Sequence, residues 1–311
     1  MKTLLIIGGT GFFGNSILKY ITNSKFLKKK IKNIIIISRK KFKKYDYLKK
    51  LKKNYKVVKI NSDILKIKKL PFADYVIYAA ILKNYKDDYL AVKNYTRLAI
   101  KYHKNSKILF TSSGAIYGVQ PNNIRGFKED YLKFNKKKNF IKGYKKKYAN
   151  FKLKNEKLFK KLGKCGVNVS IARCFAFVGE FLPLNSNFVI GNFIKNILEK
   201  KKIVLEANYE INRSYMYSDD LVRWLFKILF HSTTKCPVYN VGSDDKVSIR
   251  KIAKILAKRY NLNLNLPKLT SLHNDTYIPN INKAKNKLYL KNKYGSISSV
   301  IKTIKLNLHK I

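Results

Sequence analysis

Gly8-Gly9-Thr10-Gly11-Phe12-Phe13-Gly14 follows the short apolar run Leu4-Leu5-Ile6-Ile7 directly and opens a stretch with helical periodicity. Gly8, Gly11 and Gly14 fit the GxxGxxG spacing of a strand–turn–helix that holds a dinucleotide. A side chain at Gly8 or Gly11 would keep the backbone away from a pyrophosphate, and Gly14 lets the helix pack closely. The helix start, with Phe12 and Phe13 in it, then offers N–H groups and partial positive charge to phosphate. A tight turn alone also uses glycine. Position favours the phosphate loop, because this is the first strand-to-helix turn of an alternating chain.

Outward from that loop, short β-branched runs at 3–7, 33–37, 56–60, 75–79, 107–111 and 168–173 read as strands. Amphipathic stretches at 14–23, 89–103 and 148–162 lie between them. Such alternation implies βαβ units, hence an α/β fold of Rossmann type with a doubly wound parallel sheet. After about residue 175 the pattern loosens, with helices near 192–201, 219–230 and 248–260. We expect a dinucleotide-binding domain over 1–174. A smaller substrate-binding lobe over 175–311 completes the division, with segments around 212–245 returning to the first domain. The lysine runs at 28–30, 136–138 and 145–147 read as solvated faces or loops.

The end of the second strand selects the dinucleotide. A carboxylate there would bind the ribose 2′-hydroxyl of NAD. This chain has Ser38-Arg39-Lys40-Lys41 instead. A guanidinium clasping a 2′-phosphate contributes roughly 1.5–3 kcal/mol, on the order of ten- to a hundredfold in affinity. The reading is NADP(H) over NAD(H). Asp63 and Ile64, after the third strand, are placed to meet the adenine, and Ala79 and Ala80 are small enough for the cofactor to pass.

Ser113 ends the fifth strand, and Tyr148 and Lys152 stand four residues apart where a helix opens. Residues at i and i+4 share a helix face, so the lysine ammonium would sit beside the phenol and favour the phenolate. The phenol can then exchange a proton with a hydroxyl or carbonyl while hydride moves to or from a nicotinamide, with the serine hydroxyl fixing the substrate oxygen. YxxxK alone is common in this composition; Tyr45, Tyr55, Tyr89 and Tyr289 also have lysine four residues on. The order of phosphate loop, fifth-strand serines and helix-opening tyrosine singles out Tyr148.

GGTGFFG at 8–14, FTSSGAIYG at 110–118 and YANFKLKNEKLF at 148–159 resemble the extended short-chain dehydrogenase/reductase family, in its nucleotide-sugar epimerase/dehydratase group. Ile171-Ala172-Arg173-Cys174-Phe175, Gly191-Asn192-Phe193, Arg213 to Leu221 and Tyr239-Asn240-Val241-Gly242-Ser243 follow in that family's order. The resemblance covers residues 1 to about 260. It implies Ser113, Tyr148 and Lys152 as the catalytic set and a nucleotide-sugar substrate. It also implies that Asn192 and Arg213 hold the substrate's pyrophosphate, and that the chain pairs as a homodimer. The plainer readings are a helix cap for Asn192 and a surface cation for Arg213. Gly114 and Ala115 replace the Asp-Glu that the dehydratases carry, which disfavours elimination. Ala176 stands where many members have a sugar-contacting asparagine, and Ala91 where many have one opening a helix.

The formal charge of +51 comes mainly from lysine spread along the whole chain, with only eight arginines. Specific nucleic-acid binders gather their cations on one face, so none is expected as a partner. No apolar run approaches the roughly 18–20 residues of a membrane span, and glycine interrupts the N-terminal run too early for a signal peptide, so the expected location is cytoplasmic. Cys165, Cys174 and Cys236 lack metal or disulfide spacing, and His103, His231, His273 and His309 read as surface or loop residues. No metal is called for. The first reading of function is 4-keto reduction of a nucleotide-linked sugar. The second is a 4-epimerase with tightly held NAD, and a non-catalytic dinucleotide sensor is the reading from a different class.

Overall fold

The computed structural model describes residues 2–42, 44–134, 144–184 and 188–309. Six strands appear where the apolar runs place them: β1 (Lys2–Ile7), β2 (Ile31–Ile37), β3 (Lys56–Ile60), β4 (Tyr75–Tyr78), β5 (Lys107–Ser113) and β6 (Asn168–Cys174). With Val238–Val241 they form one seven-stranded sheet, ordered Val238–Val241, β6, β5, β4, β1, β2, β3. The pairings from β3 across to β6 are all parallel. Leu4 to Ile7 are at most 1% exposed, so the central strand is covered on both faces, as a parallel sheet requires. Order reverses between β1 and β4, and in such sheets ligands bind outside the carboxyl ends of the strands at that point.

The helices of this half are α1 (Phe12–Asn23), α2 (Lys25–Lys30), α3 (Asp46–Asn54), α4 (Tyr85–Tyr102) and the tyrosine helix, Tyr144–Lys164. The Lys28–Lys30 run forms the last turn of α2, where cations oppose the negative end of the helix dipole. Phe159 of the tyrosine helix stacks on Phe110 of β5 at 4.3 Å, and Tyr78 and Tyr95 join the same aromatic cluster. Each fully buried ring of this kind contributes roughly 1.5–3 kcal/mol through apolar burial. His103 lies in this core, fully buried between Tyr95 and the Pro71 carbonyl, which corrects its reading as a surface or loop histidine.

The chain divides into two compact units: Met1–Ile116, Ile141–Cys174 and Val222–Tyr239 in one, and Tyr117–Phe140, Phe175–Leu221 and Asn240–Ile311 in the other. The second has a three-stranded sheet in which Glu210–Arg213 pairs antiparallel with Val247–Ser248 and parallel with Asn274–Tyr277. Its core gathers Phe193, Ile194, Ile252, Leu256, Val300 and Ile304 from three helices. The last of these, Ser296–Leu308, packs the C-terminal segment into this core. Among the described residues, no helix is long and apolar enough to cross a membrane, and no cluster of metal-ligating side chains occurs. All three cysteines are free.

Candidate active site

The glycines of the first turn do different work. Gly8 has φ +91°, and a Cβ there would lie 2.6 Å from the Ala80 backbone nitrogen. A Cβ at Gly14 would lie 2.3 Å from the Gly9 backbone. Both are demanded by the fold itself. Gly11 differs: a Cβ there would meet nothing nearer than the Gly8 carbonyl at 3.7 Å. Its side-chain position is open, which is the space a phosphate needs. Asn15 Nδ2 donates to the carbonyls of Thr10 and Gly11, and Tyr47 in turn donates to Asn15 Oδ1. Two of the loop's carbonyls are thereby held by Asn15, while the Gly8 and Gly11 N–H groups bond to the Ile37 and Gly8 carbonyls. The intrahelical ladder of α1 begins with Asn15 N–H on Gly11, and its first turn carries no acidic residue. These features fit a bound pyrophosphate.

Beside the loop, Ser38 and Thr10 share a hydroxyl–hydroxyl bond of 2.6 Å. Arg39 and Asp63 come together, with Nη1 3.4 Å from Oδ2. Asp63 Oδ1 also accepts from Leu65 N–H, and Asn94 donates to the carbonyls of Ile64, Leu65 and Ile67. The segment read as the adenine side is therefore pinned to α4. Arg39 is half exposed, and an exposed pair of this length contributes little and competes weakly with a phosphate. Ala79 and Ala80 lie against Gly8, at the end of β4.

Tyr148 and Lys152 lie one turn apart on the tyrosine helix, as their spacing predicts. Lys152 is 4% exposed, and its Nζ lies 6.0 Å from the Tyr148 ring centre and 5.2 Å from that of Phe110. Ser113 ends β5, where its Oγ accepts from Ala115 N–H at 3.2 Å. The three side chains are not hydrogen-bonded to one another, an ordinary state for such groups before substrate arrives. Cys174 pairs with Ser113 across the strands. Burial pushes the Cys174 thiol well above its ordinary range, against the pull of the Lys152 ammonium.

Sequence reading missed the residues that hold this set. Glu156, one turn past Lys152 on the same face, accepts from Ser112 Oγ at 2.7 Å and from Arg173 at 3.0 and 2.9 Å. The i, i+4, i+8 spacing of Tyr148, Lys152 and Glu156 is a signal that finds it. Tyr85 of α4, whose ring packs 5.7 Å from that of Tyr148, gives no such signal. Asn192 and Arg213 belong to the second unit. Asn192 is exposed in the first turn of the helix Val189–Leu198, past its N-cap Phe188. Arg213 is an engaged cation, with Nη2 on Asp275 Oδ2 at 2.7 Å and Nη1 on two backbone carbonyls.

Residues 4–242 match the sequence profile of the NAD dependent epimerase/dehydratase family, which takes in the phosphate loop, Ser113, Tyr148 and Lys152. The chain belongs to this family. UDP-glucuronic acid decarboxylase 2 of Arabidopsis thaliana is 25% identical over 124 residues, which cover 39% of this chain and 27% of the plant protein. The chain thus matches only about a quarter of that relative's length. Among solved structures, dTDP-glucose 4,6-dehydratase of Bacillus anthracis, in complex with NAD, superposes with a TM-score of 0.79 at 17% identity, covering 99% of this chain and 96% of its own. UDP-glucose 4-epimerase of Thermotoga maritima, with UDP-glucose, gives 0.76 at 18% identity over 99% of both chains. UDP-N-acetylglucosamine 4-epimerase of Methanobrevibacter ruminantium gives 0.77 at 20% identity, over 100% of this chain and 99% of its own. At these identities the likeness establishes the fold of this epimerase/dehydratase family member.

Proposed function

We propose that this family member is a dinucleotide-dependent oxidoreductase acting on a nucleotide-activated sugar, and that its reaction is reduction of a 4-keto group with NADP(H). The observation that carries the reading is the buried Lys152 ammonium beside Tyr148, on a helix flanking a sheet whose first turn is a phosphate loop. The turn that Gly8 and Gly14 shape would hold the dinucleotide's pyrophosphate at Gly11, with Asp63 and Ile64 at its adenine and Ser38 and Arg39 at the ribose end. When bound, the dinucleotide supplies hydride. Tyr148 donates its proton to the carbonyl oxygen as that hydride reaches the carbon, so C=O becomes CH–OH. Lys152 stabilises the phenolate left behind, and Ser113 orients the oxygen. Asn192 and Arg213 bind the substrate's diphosphate, with Arg213 as the charge-assisted partner. The missing acid pair at Gly114 and Ala115 argues against elimination. Arg39, with no carboxylate at the end of β2, favours NADP(H) over NAD(H).

A second reading, 4-epimerisation with retained NAD, uses the same three residues. Two of the superposing structures are 4-epimerases, which favours it. The family resemblance further suggests a homodimer, and the short apolar runs of the sequence a cytoplasmic location. The deciding experiment is to denature the purified protein, identify any dinucleotide released, and titrate the stripped protein with NADPH and NADH. An empty protein that prefers NADPH and then reduces a 4-keto nucleotide sugar supports reduction. Tightly held NAD replaces that reading with epimerisation. Binding of neither dinucleotide overturns both.

A further inference from the structure

The first turn of α4 carries a buried carboxylate that the proton chemistry above does not use. Asp88 is 3% exposed, and Asn155 of the tyrosine helix is fully buried. A charge so placed is costly unless it is bonded. Asp88 divides its oxygens between two elements: Oδ1 accepts from Leu82 N–H at 2.9 Å, and Oδ2 from Asn155 Nδ2 at 2.9 Å. Leu82 lies in the segment joining β4 to α4, which starts with Ala79 and Ala80 against Gly8.

Strand order decides what crosses that segment. β4 stands between β1, which leads into the phosphate loop, and β5, which ends at Ser113. On the function proposed above, a dinucleotide with its pyrophosphate at Gly11 and its nicotinamide beside Ser113 and Tyr148 must pass over the end of β4. Asp88 therefore clamps the segment under the nicotinamide half to the helix that carries Tyr148. The same turn of α4 supplies Tyr85, three residues earlier, whose ring packs against Tyr148 and, at 6.0 Å, against Phe151. Apolar side chains would serve helix packing at least as well as a buried charge. They would not hold Leu82.

We propose that Asp88 is a positioning residue that, through Leu82 and Asn155, sets the nicotinamide side of the cofactor groove against Tyr148. The inference rests on the dinucleotide reading, so its test compares NADH with ADP-ribose, which keeps the pyrophosphate and lacks the nicotinamide. Both are titrated against the full chain, NADH by its own fluorescence and ADP-ribose by calorimetry. Asp88→Ala should weaken NADH about tenfold, as losing a charge-assisted bond does, and leave ADP-ribose within about twofold. Asp88→Asn should restore NADH binding. Its Oδ1 still accepts from Leu82, and Asn155 can turn its amide to offer Oδ1, which has no hydrogen-bond partner. A mere packing role predicts equal losses for both ligands, or none, and either result overturns the proposal. If Asp88→Ala does not fold, Asn155→Ala cuts the same link without adding volume; it too should separate NADH from ADP-ribose. A wild-type chain that binds neither these ligands nor their 2′-phosphorylated counterparts overturns the dinucleotide reading and this inference with it. Binding of both by wild type, with no separation in the variants, overturns this inference alone.

Discussion

Arg173 grips Glu156 with two prongs, Nε on Oε1 at 3.0 Å and Nη2 on Oε2 at 2.9 Å, and both side chains are at most 5% exposed. The pair joins β6 to the tyrosine helix one turn beyond Lys152, and Ser112 adds β5 to the same carboxylate. Taking two charges out of water is costly, and the attraction offsets that only while both partners remain. Glu156→Gln should therefore lose about 3–5 kcal/mol of stability, because it removes the negative charge gripped by a buried guanidinium. Urea unfolding measures this. The double variant Glu156→Leu with Arg173→Met should recover most of the loss. A single variant within about 1 kcal/mol of wild type, the range of an exposed pair, would show that the clamp does not hold the helix.

Gly11 separates folding from ligand binding. Gly8→Ala and Gly14→Ala should both destabilise the protein, since each new Cβ meets backbone at 2.6 or 2.3 Å. Gly11→Ala has room, and should fold with an unchanged urea midpoint. It should nevertheless lose dinucleotide affinity by at least about tenfold, because its methyl occupies the phosphate's place. Retained affinity in that variant would move the pyrophosphate away from this turn.

Tyr148→Phe removes one hydroxyl and keeps the ring that packs on Tyr85. Turnover should fall by about 10²–10⁴, the usual worth of a positioned acid–base group, while dinucleotide affinity stays within about twofold. Lys152→Met should impair both. Its ammonium is buried beside the phenol and the Phe110 ring, so its loss alters the site's charge as well as its shape. Full turnover by Tyr148→Phe would sink the proposed proton route.

Much of the fold could be read from the sequence because its signals are local. The run 56–60 is β3 residue for residue, and the run 75–79 overshoots β4 by one. Lysine-rich α3 shows too few apolar side chains for its period to stand out; only Leu51 is buried. The strand Val238–Val241 is just four residues long. Its place at the sheet edge is set by pairing beside β6, which no local pattern encodes. At the site, the glycines and YxxxK could be read for the same local reason. The Asp88–Asn155 and Arg39–Asp63 pairs span 67 and 24 residues and exist only once the sheet has formed. The burial of His103 has no local signal either, because it depends on Tyr95 and Pro71, which the folded core brings to it.

That histidine should make the stability of the protein depend on pH. Burial holds the His103 imidazole below its ordinary range, opposed by the bond to the Pro71 carbonyl. The carbonyl only accepts, so Nε2 carries the proton, at 2.9 Å, and Nδ1 faces the Tyr95 hydroxyl at 3.3 Å. Both neighbours are satisfied by the neutral ring. In the unfolded chain the same histidine titrates near about 6.5. As pH falls through that value, the unfolded state takes up a proton that the native state refuses, so stability declines. Above it the group contributes no pH dependence. The urea midpoint should therefore drop between about pH 7.5 and pH 5.5, and His103→Gln, whose amide can still donate to Pro71, should flatten that drop. Equal declines in the two proteins would assign the pH dependence to other groups.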